Sequence, residues 1–535
     1  MRKATTNIAS AIAFVDGRIM TMDPENAGAE VLVISGGRIA GVGSKTILQS
    51  YPDAEIIDLG GRTLLPGFID AHNHLSFGCF MPEWANLRGL TTKEAILEAV
   101  HRHASDHPGQ GWLIGYYWVD AGTGGPALSR QDLDGLGIDR PILLIQHSFH
   151  KSLANTRALE LAGIDRLNPD PRCGKIDRDA DGVPTGILWE NAQVPVFRLA
   201  LEHSTGDYAG RIEERAGELL AFGITAVHDP GVTPAAEAAY RLLHAERRLP
   251  VSVLMMPHGE TLVDNGISGR LDGPVTGTGD EMLRIGPVKL FADGGVSGTI
   301  SLGGRIQGQD YTLGLPRTDF KNTLIEATRR GFRVCVHAIG NLAVEEALVA
   351  FEDAARIAPP GLELRPRLEH MFLLSDAQIK RLASMGGCSA VQPCLLVTAQ
   401  ALKQVSFEGM KWFALRDLLE GGVVLAGSSD DPGGYFDGRD PIRSSIMGAT
   451  MNIGTGMVLF PEQTMSLEQW LWIYTAGSAY AGGQEQERGM LKKGLVADLV
   501  ILDGDLDPAN PPVVAETWKN GMKVYSRQAK QDLIA

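Results

Sequence analysis

Apolar and polar residues alternate in twos near both ends of the chain, while the stretch between falls into apolar runs separated by segments of helical period. Near the start, "AIAFVDGRIMTMD" and "AEVLVISGGRIAGVG" alternate around Asp-Gly and Gly-Gly turns, the pattern of short antiparallel strands. Near the end, "KKGLVADLVILDGD" and "AETWKNGMKVYS" repeat that style. The two ends predict one small β-sandwich assembled from residues 1–63 and 486–535, with residues 64–485 forming a single domain inserted between them.

That middle reads as repeated βα units and a parallel sheet. Its predicted strands are 63–71, 223–229, 251–256, 286–292, 332–338, 365–371, 387–393 and 423–429. Eight such units close naturally into a (β/α)8 TIM barrel, so the fold class is α/β. Helical stretches lie between several strands: "TLIEATRR", "AVEEALVAFEDAARI" and "SDAQIKRLASMGG", the last with Ser375 as N-cap and Gly386 as its stop. About 150 residues separate the first two strands, too many for a plain connection, so an insert subdomain is expected at about 80–215. It opens with a helix at "TTKE", where Thr91 and Glu94 have capping-box spacing. The segment "EQWLWIYTAGSAYA" reads as the core face of a helix.

A length of 535 residues suits one large and one small domain, and 44% apolar with 21% charged residues is the composition of a soluble globular protein. No apolar run reaches 18 residues, and the opening "MRKATTNIASAIAFVDG" lacks a cleavage site, so neither a membrane span nor a signal peptide is expected. The net charge of −15 argues against nucleic acid or an anionic membrane as partner and favours a small-molecule substrate. Five scattered cysteines without a CxxC pair read as reduced thiols, pointing to the cytoplasm.

In such a barrel the chemistry sits at the C-terminal ends of the strands. The polar residues there are His72 and His74, His228 and Asp229, Lys289, His337, His370 and Asp430, a set rich in ligands for a divalent metal. A lysine among them is disfavoured by burial and by nearby cations. Lys289 is therefore either neutral or paired with a carboxylate such as Asp293, or else carboxylated by carbon dioxide into an anionic ligand. His150, Trp189 and Glu190 of the insert, and Gln392 after the seventh strand, are candidate substrate contacts.

The ordered set "GFIDAHNH", "GPVKLFADGG", "VHAIGNLAVEEAL", "RLEH", "SSDDP" and "GLVADLVILD" resembles the amidohydrolase superfamily, in particular its amidohydrolase-3 or YtcJ-like branch of metal-dependent hydrolases. The resemblance implies that His72 and His74 bind one metal, that carboxylated Lys289 bridges to a second held by His337 and His370, and that Asp430 contacts the first and shuttles the proton. It implies orienting roles for His228 and Asp229, and a possible homodimer. Two departures stand out: "SSDDP" makes Asp431 a rival of Asp430, and Asn341 stands where relatives often carry Asp.

Two zinc ions are the default, with manganese, iron or nickel open. A divalent metal lowers the pKa of bound water from about 15.7 to about 7, so the expected reaction is hydrolysis of a non-peptide C–N bond in a small molecule by a metal-bound hydroxide, with Asp430 passing the proton to the leaving amine. The alternatives are a mononuclear deaminase or an esterase on the same scaffold and, outside enzymes, an inactive metal-binding regulatory protein. A nucleophile-elbow hydrolase is excluded, since no G-x-S-x-G stands at a strand-to-helix turn.

Overall fold

A computed structural model describes residues 11–120, 125, 127–261, 265–296, 298–314, 317–433, 438–454 and 456–528. Its centre is an α/β fold of TIM-barrel type. The parallel strands are β1 (Phe68–Asp70), β2 (Ile224–Val232), β3 (Ser252–Pro257), β4 (Val288–Phe291), β5 (Val334–Ala338), β6 (Arg367–His370), β7 (Cys388–Val391) and β8 (Val424–Gly427). Nearly every residue in them is buried, which is why they read as apolar runs without alternation.

The strands form two parallel sheets. One orders β1, β2, β3 and a short strand Leu283–Ile285, and the other orders β4, β5, β6, β7 and β8. Leu283–Ile285 runs through Gly286 and Pro287 directly into β4. At the opposite seam the Ala71 amide donates to the Gly427 carbonyl at 3.0 Å and the Asp430 amide to the His72 carbonyl at 2.8 Å. That second bond ties the loop after β1 to the loop after β8.

The predicted strand 63–71 divides at Gly67. Thr63–Pro66 pairs antiparallel with Leu499–Asp503 in a five-stranded sheet that unites both ends of the chain, and Phe68–Asp70 pairs with β2. Gly67 is the crossing point because a side chain there would collide with Thr225. A second terminal sheet carries Ile12–Val15, Val31–Ser35, Arg38–Gly43 and Glu55–Asp58.

Between β1 and β2 the chain builds a six-stranded sheet within residues 85–190, whose inner strands include Ile142–Gln146, Lys151–Ala154 and Pro184–Glu190. Its first helix, Lys93–Asp106, is capped by Thr92 accepting from the Ala95 amide at 3.2 Å, one residue later than the Thr91 and Glu94 spacing predicts. The expected cap at Ser375 forms, with Gln378 closing the box, and helix Asp376–Ser384 ends before Gly386. Trp470, Leu471 and Tyr474 of the "EQWLWIYTAG" segment are buried against the barrel. Among the described residues no helix is long and apolar enough to cross a membrane.

Candidate metal centre

His72 and His74 follow β1, and both imidazoles line one buried cavity. His72 Nε2 lies 3.3 Å from His74 Nε2, and Asp430 Oδ1 lies 3.1 Å from the first and 3.3 Å from the second. The outward nitrogen of His72, Nδ1, is hydrogen-bonded to the Glu369 carboxylate, and Arg367 Nε clamps that carboxylate at 2.6 Å. With Nδ1 taken by Glu369, His72 Nε2 faces another imidazole nitrogen and a carboxylate oxygen. Three electron-pair donors thus converge, an arrangement that a cation resolves. Ligands at the usual 2.0–2.1 Å from a tetrahedral zinc stand about 3.3 Å apart, so the donor triangle fits a divalent metal.

The two aspartates separate cleanly. Asp430 faces the histidines, whereas Asp431 turns outward to Arg215 Nη2 at 2.5 Å. Burial pushes the Asp430 carboxyl up, but His72, His74 and His370 outweigh it and hold the group well below the usual carboxylate range. Asp430 and His370 both have left-handed backbone, at φ +54° and +76°, a strain that concentrates where side chains must converge.

His337 after β5 and His370 at the end of β6 complete the ring of imidazoles. Their centroids are 4.6 Å apart, and His370 lies 5.0 Å from His72. Together with His72, His74, Lys289 and Asp430 they line one cavity of about 30 Å³. Burial holds His370 down at about 3, drives His337 well below its ordinary value and lowers His74, so these rings are neutral and their lone pairs available.

Lys289 is fully buried, and its Nζ has no hydrogen-bond partner among the described residues. Burial lowers its affinity for a proton, against the opposing pull of Cys335, Glu369 and Asp430. The alternative pairing with Asp293 does not form. That carboxylate instead accepts from the amides of Ser301, Ile339 and Gly340 at 3.1, 3.0 and 2.9 Å, and burial pushes it up to about 7. The neutral amine and the carboxylated ligand are the readings of Lys289 left standing.

Around this ring the other predicted residues take different positions. Gln392 does not offer an amide to the cavity, because its Oε1 accepts from His370 Nδ1 at 2.8 Å and its Nε2 donates to Ser428 at 2.9 Å. Both ends are spent in orienting His370. His228 accepts from Arg367 Nη1 at 3.0 Å and reaches His72 through Arg367 and Glu369. Asp229 accepts from the Ser76 amide at 3.0 Å and from Tyr240 at 2.6 Å, behind the segment that carries His74.

His150 lines the cavity, with its ring 5.2 Å from that of His337, and Glu190 holds its Nδ1 at 2.9 Å. Trp189 does not line it. Successive residues of a strand point to opposite faces, so with Glu190 turned inward Trp189 turns away, and its ring is covered by Lys151 Nζ at 4.1 Å. Asn341 pairs both ways with the backbone of Gly303, donating at 2.7 Å and accepting at 3.0 Å, a double role an ionised Asp cannot fill.

Arg367 and Glu369 were missed by reasoning from strand ends. Their signal was two opposite charges at i and i+2 inside an otherwise buried strand, which demands a shared partner within the core.

A TIM-barrel-type α/β fold with histidines and a carboxylate gathered at its strand ends belongs to a broad class of hydrolases. The comparisons narrow it. The amidohydrolase family profile matches residues 55–525, and the chain belongs to that family, as a hydrolase acting on carbon–nitrogen bonds. It is 30% identical to the N-substituted formamide deformylase of Arthrobacter pascens, covering 96% of this chain and 98% of that protein, and 30% identical to the putative amidohydrolase YtcJ of Bacillus subtilis with the same coverage. A crystal structure of an uncharacterized metal-dependent hydrolase from Pyrococcus horikoshii superposes with a TM-score of 0.72 at 26% identity, over 93% of this chain and 98% of that one. The fold of such hydrolases implies a divalent metal, in accord with the donor triangle.

Proposed function

We propose that this protein hydrolyses the C–N bond of a small amide, with substituted formamides and other N-acyl amines as the first substrate class to test. The observation that carries this reading is the convergence of His72 Nε2, His74 Nε2 and Asp430 Oδ1 within 3.3 Å of one another, beside a buried lysine whose Nζ has no hydrogen-bond partner among the described residues. The formamide class is suggested by the name of the Arthrobacter relative. The eight parallel strands are taken as one closed (β/α)8 ring, a reading supported by the bonds between the loops after β1 and β8.

His72, His74 and Asp430 would hold one divalent cation, and His337 and His370 a second. A cation so held supplies Lewis acidity toward the carbonyl and a water ionised near neutral pH. Lys289 would supply the remaining ligand: its neutral amine adds to carbon dioxide and loses a proton, which gives an anionic carbamate where a buried ammonium is disfavoured. Glu369 holds the proton on His72 Nδ1 and Gln392 holds the one on His370 Nδ1, so each ring offers its other nitrogen to the cavity. Asp430 takes the proton released by the attacking water and delivers it to the nitrogen as the C–N bond breaks, which lets the amine leave neutral.

The test is metal content per chain on protein purified without chelators and with bicarbonate present, alongside amine release from a panel of amides. About two equivalents with amine release is the expected result. About one equivalent transfers the reading to a mononuclear scheme, and absence of metal with none taken up on reconstitution overturns it.

A further inference from the structure

His150 comes to the cavity from the insert rather than from a barrel strand, and the structure spends several interactions on placing it. The antiparallel pairing of Lys151 with Trp189 brings Glu190 alongside it, and the Glu190 amide donates to the His150 carbonyl at 3.1 Å. Glu190 sits at φ +48°, ψ −125°, outside the regions open to ordinary residues, and that turn aims its carboxylate inward at His150 Nδ1.

Thr299 Oγ1 donates to the same carboxylate at 2.6 Å, and Arg317 Nη1 stands 4.0 Å from it. Burial raises the Glu190 carboxyl, yet His150, Arg317 and Thr299 together hold it below its ordinary range, so it is an anion. The loop after β4 is cut to fit the pair. A side chain at Gly294 would collide with the Glu190 carboxylate, and one at Gly295 would come within 2.7 Å of the His150 ring. The "DGG" of the Lys289 segment is therefore the seat of a pair donated by another part of the chain.

With Nδ1 taken by Glu190, Nε2 is the nitrogen that His150 has left for a substrate, and among the described residues no hydrogen bond occupies that atom. His150 also lines a second, outer cavity of about 50 Å³, which shares His337, His370 and Asp430 with the inner one. It thus stands where a substrate entering from the outer cavity meets the ligand ring. An acceptor at that point discriminates between an amide that carries N–H and an ester or N,N-disubstituted amide that does not.

We infer that His150, fixed by Glu190, accepts a hydrogen bond from the N–H of the scissile secondary amide and selects such substrates over N-alkylated amides and esters. This rests on the amide-hydrolase reading above and narrows its substrate class. The N–H stays on nitrogen throughout and the bond is made already in the bound substrate, so its loss raises KM more than it lowers kcat.

The experiment compares kcat and KM of metal-loaded wild type, His150→Phe, His150→Gln and Glu190→Gln on N-butylformamide, N-butyl-N-methylformamide and butyl formate. Wild type is expected to favour the secondary formamide over its N-methyl analogue by about tenfold or more in kcat/KM. His150→Phe should close that gap through the secondary formamide alone, with metal content unchanged and butyl formate altered less than about threefold. His150→Gln, which keeps an acceptor oxygen, should restore part of the preference, and Glu190→Gln should fall between wild type and His150→Phe. Equal loss on all three substrates, or a preference that survives in His150→Phe, overturns the inference while leaving the hydrolase reading intact. If wild type releases amine from neither formamide, the hydrolase reading fails. The inference is then decided by calorimetric titration of the same two formamides: tighter binding of the secondary one by wild type but not by His150→Phe supports it, and no difference overturns it.

Discussion

Glu369 takes the Nδ1 hydrogen bond of His72, and both side chains are almost wholly buried. The pair explains why an ionised carboxylate lies in a barrel core: Arg367 offsets its charge, and the carboxylate in turn fixes which His72 nitrogen faces Asp430. Glu369→Gln keeps an acceptor for the imidazole but strands the Arg367 guanidinium. It should weaken zinc affinity about 10- to 100-fold, measured by chelator competition, and cost about 3–5 kcal/mol of stability in the metal-free protein. An unchanged zinc affinity would show that the orientation of His72 is set elsewhere.

The neighbours Asp430 and Asp431 have opposite environments, so their amide variants should behave oppositely. Asp430→Asn should retain most of the bound metal while amine release falls by about 10²–10⁴, the usual worth of a positioned proton carrier. Asp431→Asn loses the charge of its ion pair with Arg215 and should lower the melting temperature, with turnover kept within about tenfold. If Asp431→Asn were the inactive variant, the proton-transfer role would pass to it.

The parallel strands and their polar residues were legible because a strand buried on both faces leaves a continuous apolar run, and ligand types accompany six of the eight runs. Relationships that depend on partners distant in sequence were not. That Gln392 serves His370, that Glu369 serves His72, and that Asp431 belongs to Arg215 follow from spatial neighbours 22, 297 and 216 residues away along the chain. Local errors had local causes. The run 63–71 looks uninterrupted although Gly67 passes it from one sheet to another, and two adjacent threonines, Thr91 and Thr92, are equally good caps by type.

Lys289 supplies a prediction that separates its two readings. Purified in labelled bicarbonate, the wild type should show a carbon-13 carbonyl signal that is lost in Lys289→Met. Lys289→Ala, which leaves room beside the histidines, should regain part of its metal and activity when a short carboxylate such as formate is added. A wild-type protein with full metal content and no labelled carbonyl would establish the neutral amine instead.

The last prediction concerns His147, which lines the outer cavity but not the inner one. Burial, partly offset by Asp120 and by the Trp118 carbonyl, holds its imidazole down at about 4, against about 6.5 for a free histidine. Above pH 6.5 the ring is neutral in both the folded and the unfolded chain, and it contributes no pH dependence. Between 6.5 and 4 the unfolded chain binds a proton that the folded one refuses, so stability falls as pH falls, and the loss levels off below 4. At about 1.36 kcal/mol per unit, the loss by pH 5 is about 2 kcal/mol. Wild type should therefore lose more in melting temperature than His147→Gln between pH 7.5 and pH 5, in metal-free protein so that ligand protonation in the bound centre does not contribute. Parallel curves for the two proteins would mean that His147 takes up its proton as readily in the fold as in solution.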